Sequence, residues 1–276
     1  MTLPQKRDAV EIMIVSGLSE RRSCEIVGLS RTTRRYAERP KNDDDELRKQ
    51  ICEIAHARRR FGYRRITAKL RKSGVIVNSK RVYRIYTEEN LKVRRRPRRR
   101  LALARGTPME TPAMINQRWS MDFMSDSLYS GRRYRTLNVV DDFSRECLAI
   151  EVDFSLPSQR VTRVLDCLLW NTGKPAEIAV DNGPEFRSKH TQSWAEKHGI
   201  KLHYIEPGKP IQNAFVESFN GKFRDECLND NWFVNILEAR ETAETWRNDY
   251  NTERPHSSLG YKTPVEFRQA TLPKAV

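Results

Sequence analysis

Three carboxylates in the 276-residue chain stand where an acid is costly unless it does chemistry. Asp122 lies inside the strand-like run RWSMDFMS, between Met121 and Phe123, and a charge buried there must be neutralised. Asp181 ends the short apolar run EIAVD, and the turn residues Asn182, Gly183 and Pro184 follow at once. Glu217 falls in QNAFVESFNGKFRDE. Helical spacing there places Asn213, Asn220, Gly221 and Arg224 on the side of Glu217, and directs Phe215, Phe219 and Phe223 to a core. If the strands of Asp122 and Asp181 are neighbours, the two acids raise each other's pKa unless a cation sits between them. A hard divalent ion answers that need, since Mg²⁺ takes few carboxylates and leaves its other positions to water and phosphate. Two such ions roughly 3.5 to 4 Å apart would clamp a phosphodiester, so the acids point to phosphoryl transfer on nucleic acid.

The elements that must position these acids follow from periodicity. RWSMDFMS, RYRTLNVVDD and CLAIEVD are three strand-like runs with short connections, which predicts an antiparallel meander. Next come a helix from a capping Ser158 to about Trp170, the strand EIAVD, and a helix from near Ser188 to His198. The strand KLHYI, a long helix from about Gln212 to Leu228, and an amphipathic helix from Asn235 to Tyr250 complete the series. Three meander strands followed by alternating helix and strand imply an α/β mixed sheet covered by helices.

Upstream the pattern is helical. Between Pro4 and Tyr36, Ser19 caps a helix running to about Val27, and Gly28 breaks it. Ser30 then caps a helix carrying Arg31, Arg34 and Arg35, the layout of a helix-turn-helix. A second such unit is expected from Glu46 onward. It has a helix to about Arg59, a helix bearing Arg64, Arg65 and Lys69, and a helix capped by Asn78 or Ser79 that bears Lys80, Arg81 and Arg84. The run Arg94, Arg95, Arg96, Pro97, Arg98, Arg99, Arg100 reads as a linker whose six arginines would release counterions from DNA phosphates. The expected organisation is therefore residues 1–40 and 41–93 as two helix-turn-helix-like units, 94–112 as basic linker, and 113–270 as core.

Charge follows the same division. Of the net +15, residues 1–112 carry 30 Lys+Arg against 13 Asp+Glu, whereas residues 113–276 carry 21 against 23. A basic arm on a nearly neutral core suits a polyanion partner, with a ribosomal or membrane-surface role as the bland alternative. The five cysteines are scattered with no CxxC pair, which indicates neither a disulfide framework nor a zinc site. No signal peptide opens the chain and no apolar run approaches ~18 residues, so a cytoplasmic protein of a reducing cell is expected, with no membrane partner.

WSMDF, VDNGPEF and KPIQNAFVESFNGKFRDE, with 35 residues between Asp181 and Glu217, resemble the D, D(35)E signature of the retroviral-integrase superfamily. The chain-wide pattern is similar, more narrowly, to the second-frame proteins of bacterial insertion sequences that encode two overlapping frames. RYRTLNVVDDFSRE and YNTERPHSSLGYKTPVEF support the likeness, which spans roughly Gly62 to Phe267. The resemblance implies an RNase H-like five-stranded core and Mg²⁺ or Mn²⁺, two ions with DNA bound, held by Asp122, Asp181 and Glu217. It further implies cleavage that leaves a 3′-OH to attack another strand. In addition, Asn182 and Gly183 would shape the metal-bearing turn, and Lys209, Gln212, Asn213, Lys222 and Arg224 would flank DNA. Double-stranded DNA, a second copy of the chain during reaction and the first-frame product are the implied partners. Neither a His-His-Cys-Cys zinc domain nor a leucine-zipper segment precedes the core, so end recognition falls to the helix-turn-helix units or to a partner.

Neighbouring residues have plainer readings. Asp126 lies near the motifs, Asp141 and Asp142 suit backbone capping at a strand end, and Glu185, directly after Pro184, lies outside the metal shell. Trp119 suits packing, while Arg254 and His256 fit DNA contact or a loop that pins the C-terminal helix equally well. A decayed element serving as a DNA-binding regulator, or a structure-specific ribonuclease, would share much of this pattern.

Overall fold

The structure, a computed structural model, describes residues 1–36, 44–93, 110–206 and 213–272. Two compact units, Met1–Lys49 and Gln50–Val276, divide within helix α4 (Asp44–Ala57). In the first unit, α1 (Leu3–Val15), α2 (Glu20–Val27) and α3 (Arg31–Arg35) enclose Val10, Cys24 and Leu29. The Ser19 side chain caps α2, Gly28 ends it in the left-handed conformation, and Ser30 caps α3. The arginines of α3 do not form a bare basic stripe. Arg34 and Arg35 both bond Glu20 (2.8 and 2.5 Å), and those guanidinium hydrogen bonds hold the Glu20 carboxyl down to about 2.

Within the second unit, α5 (Tyr63–Lys72) and the Asn78-capped α6 (Ser79–Glu88) bury Ile66, Leu70, Val82, Ile85 and Tyr86. The sheet has the order β3-β2-β1-β4-β5, formed by β1 (Arg118–Ser127), β2 (Arg133–Asp141), β3 (Cys147–Asp153), β4 (Glu177–Val180) and β5 (Lys201–Tyr204). The meander β1-β2-β3 is antiparallel, and β4 and β5 add in parallel. Because side chains alternate along a strand, Trp119, Met121, Leu137 and Val139 enter one core with α7 (Ser158–Thr172) and α9 (Lys189–His198). Tyr134, Val140 and Val152 enter a second core with α10 (Ala214–Glu226) and α11 (Ile236–Thr252). Asp122 and Asn138 have the alternation of this second face, the one that α10 covers.

Several boundaries differ from expectation. Pro157 takes the N-cap position of α7, and Ser158 is its first residue, with Oγ bonded to Gln159 instead of a backbone N–H. A short helix, α8 (Pro184–Arg187), follows Asp181, its start favoured by a proline whose missing N–H would be unpaired there anyway. Helix α10 stops at Glu226, and Leu228–Asp230 tightens into a 3₁₀ turn. Phe219 and Phe223 pack into the core against Trp246, but Phe215 stays half-buried with Arg145 stacked 3.7 Å over its ring. Among the described residues, no helix is long and apolar enough to cross a membrane.

Ahead of α12 (Pro264–Thr271), Arg254 and His256 turn inward. Arg254, 2% exposed, donates to both carboxylate oxygens of Glu226 at 2.7 and 2.5 Å, and His256 packs edge-on against Tyr250. Removing one member of such a pair strands the other charge in a poorly solvated place. Arg254→Ala should therefore destabilise this unit by about 3 kcal/mol, read as an earlier urea midpoint by tryptophan fluorescence, with Arg254→Lys recovering only part of the loss.

Candidate active site

Parallel pairing of β1 with β4 runs Arg118 to Glu177, Trp119 to Ile178 and Ser120 to Ala179. Two residues beyond the last pair on each chain stand Asp122 and Asp181, so the register sets Asp181, just past the end of β4, level with Asp122 in the middle of β1. Helix α10 packs on β1 and β2 and delivers Glu217 in its first turn. Both oxygens of Asp122 are held: Oδ1 accepts from the Phe123 N–H and Oδ2 from Asn220 Nδ2, each at 2.8 Å. Asp181 Oδ1 accepts from the Gly183 N–H at 2.9 Å, closing the turn, while Asn182 Nδ2 ties that turn to the Ile205 carbonyl at 2.8 Å. Glu217 is exposed.

Burial pushes the Asp122 carboxyl up to about 6, and repulsion from Asp181 and Glu217 adds to the rise, against hydrogen bonds from Phe123 and Asn220. Partial desolvation raises Glu217 as well. Asp122 senses both other acids, yet among the described residues no three His, Cys, Asp or Glu side chains are grouped closely enough to hold a metal ion. An all-oxygen donor set that repels itself and is left open suits a hard divalent ion that keeps positions for water and phosphate. By donor type, Asp122, Asp181 and Glu217 fit such an ion.

Glu185 has its own partner. Arg135 of β2 bonds it and lies 4.2 Å over the Phe123 ring, which stacks on Phe186. Asp126 pairs with Arg224 at 2.8 Å, and Arg224 also donates to the Ser125 carbonyl. Asp141 caps its turn through the N–H groups of Phe143 and Ser144, whereas Asp142 is buried against Arg118 (2.6 Å) and Ser120 (2.8 Å). Trp119 is fully buried, its indole N–H donating to Asn116.

The basic residues separate by environment. Arg64 and Lys80 are exposed, and Arg81 and Arg84 are half-buried, Arg84 pairing with Glu88. Arg65 reaches Glu226 at 3.5 Å, and Lys69 and Lys72 bond Glu253 and Glu266, so much of the charge on α5 is turned to the core. Lys222 is half-buried, lowered to about 8 by desolvation and by Arg254 and Arg65, and Asn213 is buried at the start of α10. Lys209, Gln212 and Arg94 to Arg100 lie outside the described residues.

Sequence reasoning passed over Asn138 and Arg135. Each carried a signal: a polar amide inside the apolar stretch TLNVV, and an arginine two residues into a strand.

This sheet, covered by helices on both faces and carrying one acid within β1 and another just past the end of β4, defines an RNase H-like integrase core attached to a helix-turn-helix-like region. The integrase core domain family matches residues 112–210 and, in a second part, 198–264, and an HTH-like domain family matches 42–100. The chain is 46% identical over 250 residues to the uncharacterized 31.7 kDa protein of insertion element IS407 from Burkholderia multivorans, covering 91% of this chain and 90% of that one. It is 30% identical over 241 residues to the transposase for insertion sequence element IS904 from Lactococcus lactis, covering 81% and 93%. A simian T-cell lymphotropic virus intasome structure superposes with a TM-score of 0.54 at 18% identity, covering 82% of this chain and 75% of the matched one, a likeness of fold. The chain belongs to the DDE-type transposases of bacterial insertion elements. Proteins with this core use divalent metal ions.

Two outcomes follow from the geometry. With folded pKa above the unfolded value, Asp122 contributes stability that is present below about pH 4 and lost as pH rises through about 6. In EDTA at pH 8, Asp122→Asn should therefore melt a few degrees above the native chain, on the order of 1 kcal/mol, the gap closing by pH 4. At Gly183 an added Cβ would stand 2.9 Å from Asp181 Oδ1 and 3.4 Å from Glu185 Oε2. Since carboxylate ends yield more readily than backbone, Gly183→Ala should fold normally by melting temperature yet lose at least about tenfold in metal affinity, measured by calorimetry.

Proposed function

We propose that this transposase binds the ends of its insertion element and cleaves them to leave a 3′-OH. That hydroxyl is then joined to a target strand, with Asp122, Asp181 and Glu217 holding the metal. The observation that carries the reading is the β1-β4 register, with α10 set across it so that Asn220, one turn from Glu217, bonds Asp122. When bound, Mg²⁺ or Mn²⁺, two ions per site with DNA, supplies Lewis acidity to the attacking and leaving oxygens. The chain's own residues hold the acids in place: the Phe123 N–H and Asn220 orient Asp122, and the Gly183 N–H orients Asp181. Water and the DNA 3′-OH serve in turn as nucleophiles, so no protein side chain forms a covalent bond to DNA.

Exposed Arg64 and Lys80, with Arg81 and Arg84 beside them and the arginine-rich segment 94–100, are assigned to double-stranded DNA, mainly its phosphates. Lys209, Lys222, Asn213 and Arg224, on and just before α10, are assigned to the DNA flank of the acids, the last three through the helix they help to place. Joining two element ends needs at least two copies of the chain during reaction, and a first-frame product of the same element is the natural further partner.

The test is strand transfer on element-end duplexes with Mg²⁺ or Mn²⁺. Asp122→Asn, Asp181→Asn and Glu217→Gln should each lower joining by more than about 10³-fold while leaving end binding by gel shift within about twofold. Joining retained by any one variant would remove that residue from the assignment.

A further inference from the structure

We infer that Asn138, buried in the middle of β2, is a positioning residue for the acidic site: it holds the Asn220 amide with its NH₂ on Asp122. The inference rests on the reading of Asp122 as a metal-holding residue and adds to it a relay that crosses three elements.

Asn138 is directly opposite Asp122 in the β1-β2 register and is 0% exposed between Leu137 and Val139. A buried amide costs free energy unless its hydrogen bonds are made. The Asn138 amide makes its bond on the donor side: Nδ2 donates to Asn220 Oδ1 at 2.7 Å, while Oδ1 finds no partner among the described residues. Asn220 then donates from Nδ2 to Asp122 Oδ2 at 2.8 Å.

An asparagine amide has one accepting and one donating end, and the two can exchange places by a flip. With Asn138 donating into its oxygen, Asn220 has one favourable orientation. Flipped, it would set NH₂ against NH₂ at Asn138 and a carbonyl oxygen against the Asp122 carboxylate, both repulsive. The Asp122 carboxylate, which only accepts, draws the Asn220 NH₂, and the buried strand asparagine locks that orientation from the other end. Asn220 sits three residues from Glu217 on α10, so the same bond fixes the helix of one acid against the strand of another before any ion arrives. Outer hydrogen-bond partners of this kind orient metal ligands, and their loss costs about 10- to 100-fold in metal affinity.

The experiment measures Mn²⁺ affinity of the full chain by calorimetry, with melting temperature in parallel, for Asn220→Ala, Asn138→Leu, Asn138→Asp and the double variant Asn138→Leu/Asn220→Ala. Each single variant should weaken Mn²⁺ binding by about 10- to 100-fold. Asn138→Asp should weaken binding most at high pH, where an ionised acceptor draws the Asn220 NH₂ away from Asp122, and least at low pH, where the protonated carboxyl donates to Asn220 Oδ1 as the amide does. The double variant should bind no more weakly than Asn220→Ala alone, since Asn138 acts only through Asn220. Native Mn²⁺ affinity in a folded Asn138→Leu chain, or losses that add in the double variant, would overturn the relay. Should Asn138→Leu fold poorly, Asn138→Ala, which removes the donor and adds no charge, carries the same comparison. Asp122→Asn separates the two levels. If it too binds Mn²⁺ like the native chain, the metal reading of Asp122 fails. If it loses binding while the asparagine variants keep it, only the relay fails.

Discussion

Gathering carboxylates against their own repulsion is the constraint around which this core is arranged. Asp122 is raised to about 6 by burial and by two neighbouring acids, so the fold must hold there a charge that the folded state disfavours. Holding it takes short, directional bonds from the backbone at Phe123 and from Asn220, and a strand register that admits no slip. A one-residue shift of β4 against β1 would move Asp181 away from Asp122, and a one-residue shift of β2 would exchange Asn138 for an aliphatic side chain. Two apolar clusters, one on each face of the sheet, oppose such shifts.

Helix α10 links the site to the rest of its unit. One side carries Glu217 and Asn220, another buries Phe219 and Phe223 against Trp246 and Tyr250, and its last residue, Glu226, receives Arg254 and Arg65. The C-terminal stretch with its inward Arg254 and His256 thus anchors the far end of the helix that brings an acid to the sheet. The ion pairs of Lys69, Lys72 and Arg58 join α5 and the end of α4 to the same body. Individually exposed pairs of this kind contribute little, but several converging on one interface give the helical region a defined seat on the core.

Much was legible in the sequence. Caps and breaks at Ser19, Gly28, Ser30 and Asn78 marked helix ends, because local hydrogen bonds and a left-handed glycine depend on nearby residues alone. Strand alternation and the helical spacing around Glu217 gave the mixed sheet and the helix over it, and the acids were conspicuous as charges in apolar runs. Less legible were features that depend on what arrives from far along the chain. Phe215 shares the spacing of Phe219 and Phe223, yet in the first turn of α10 it stays half-buried under Arg145. The arginines of α3, read as a basic face, meet Glu20, and Arg65 on α5 meets Glu226 161 residues away.

What the sequence determined by itself was the inventory: which residues are charged within apolar elements, how each element is capped, and that the basic charge belongs to the first 112 residues. These are local properties, set by residue type and spacing. Tertiary structure alone decided the partnerships. That β1 lies beside β4, that Asn138 and Asn220 meet at Asp122 across 98 residues of chain, and that Glu185 is bound by Arg135 are outcomes of strand order and helix docking. Pairings between distant segments depend on how two apolar faces are covered at once, and no single stretch of sequence carries that information.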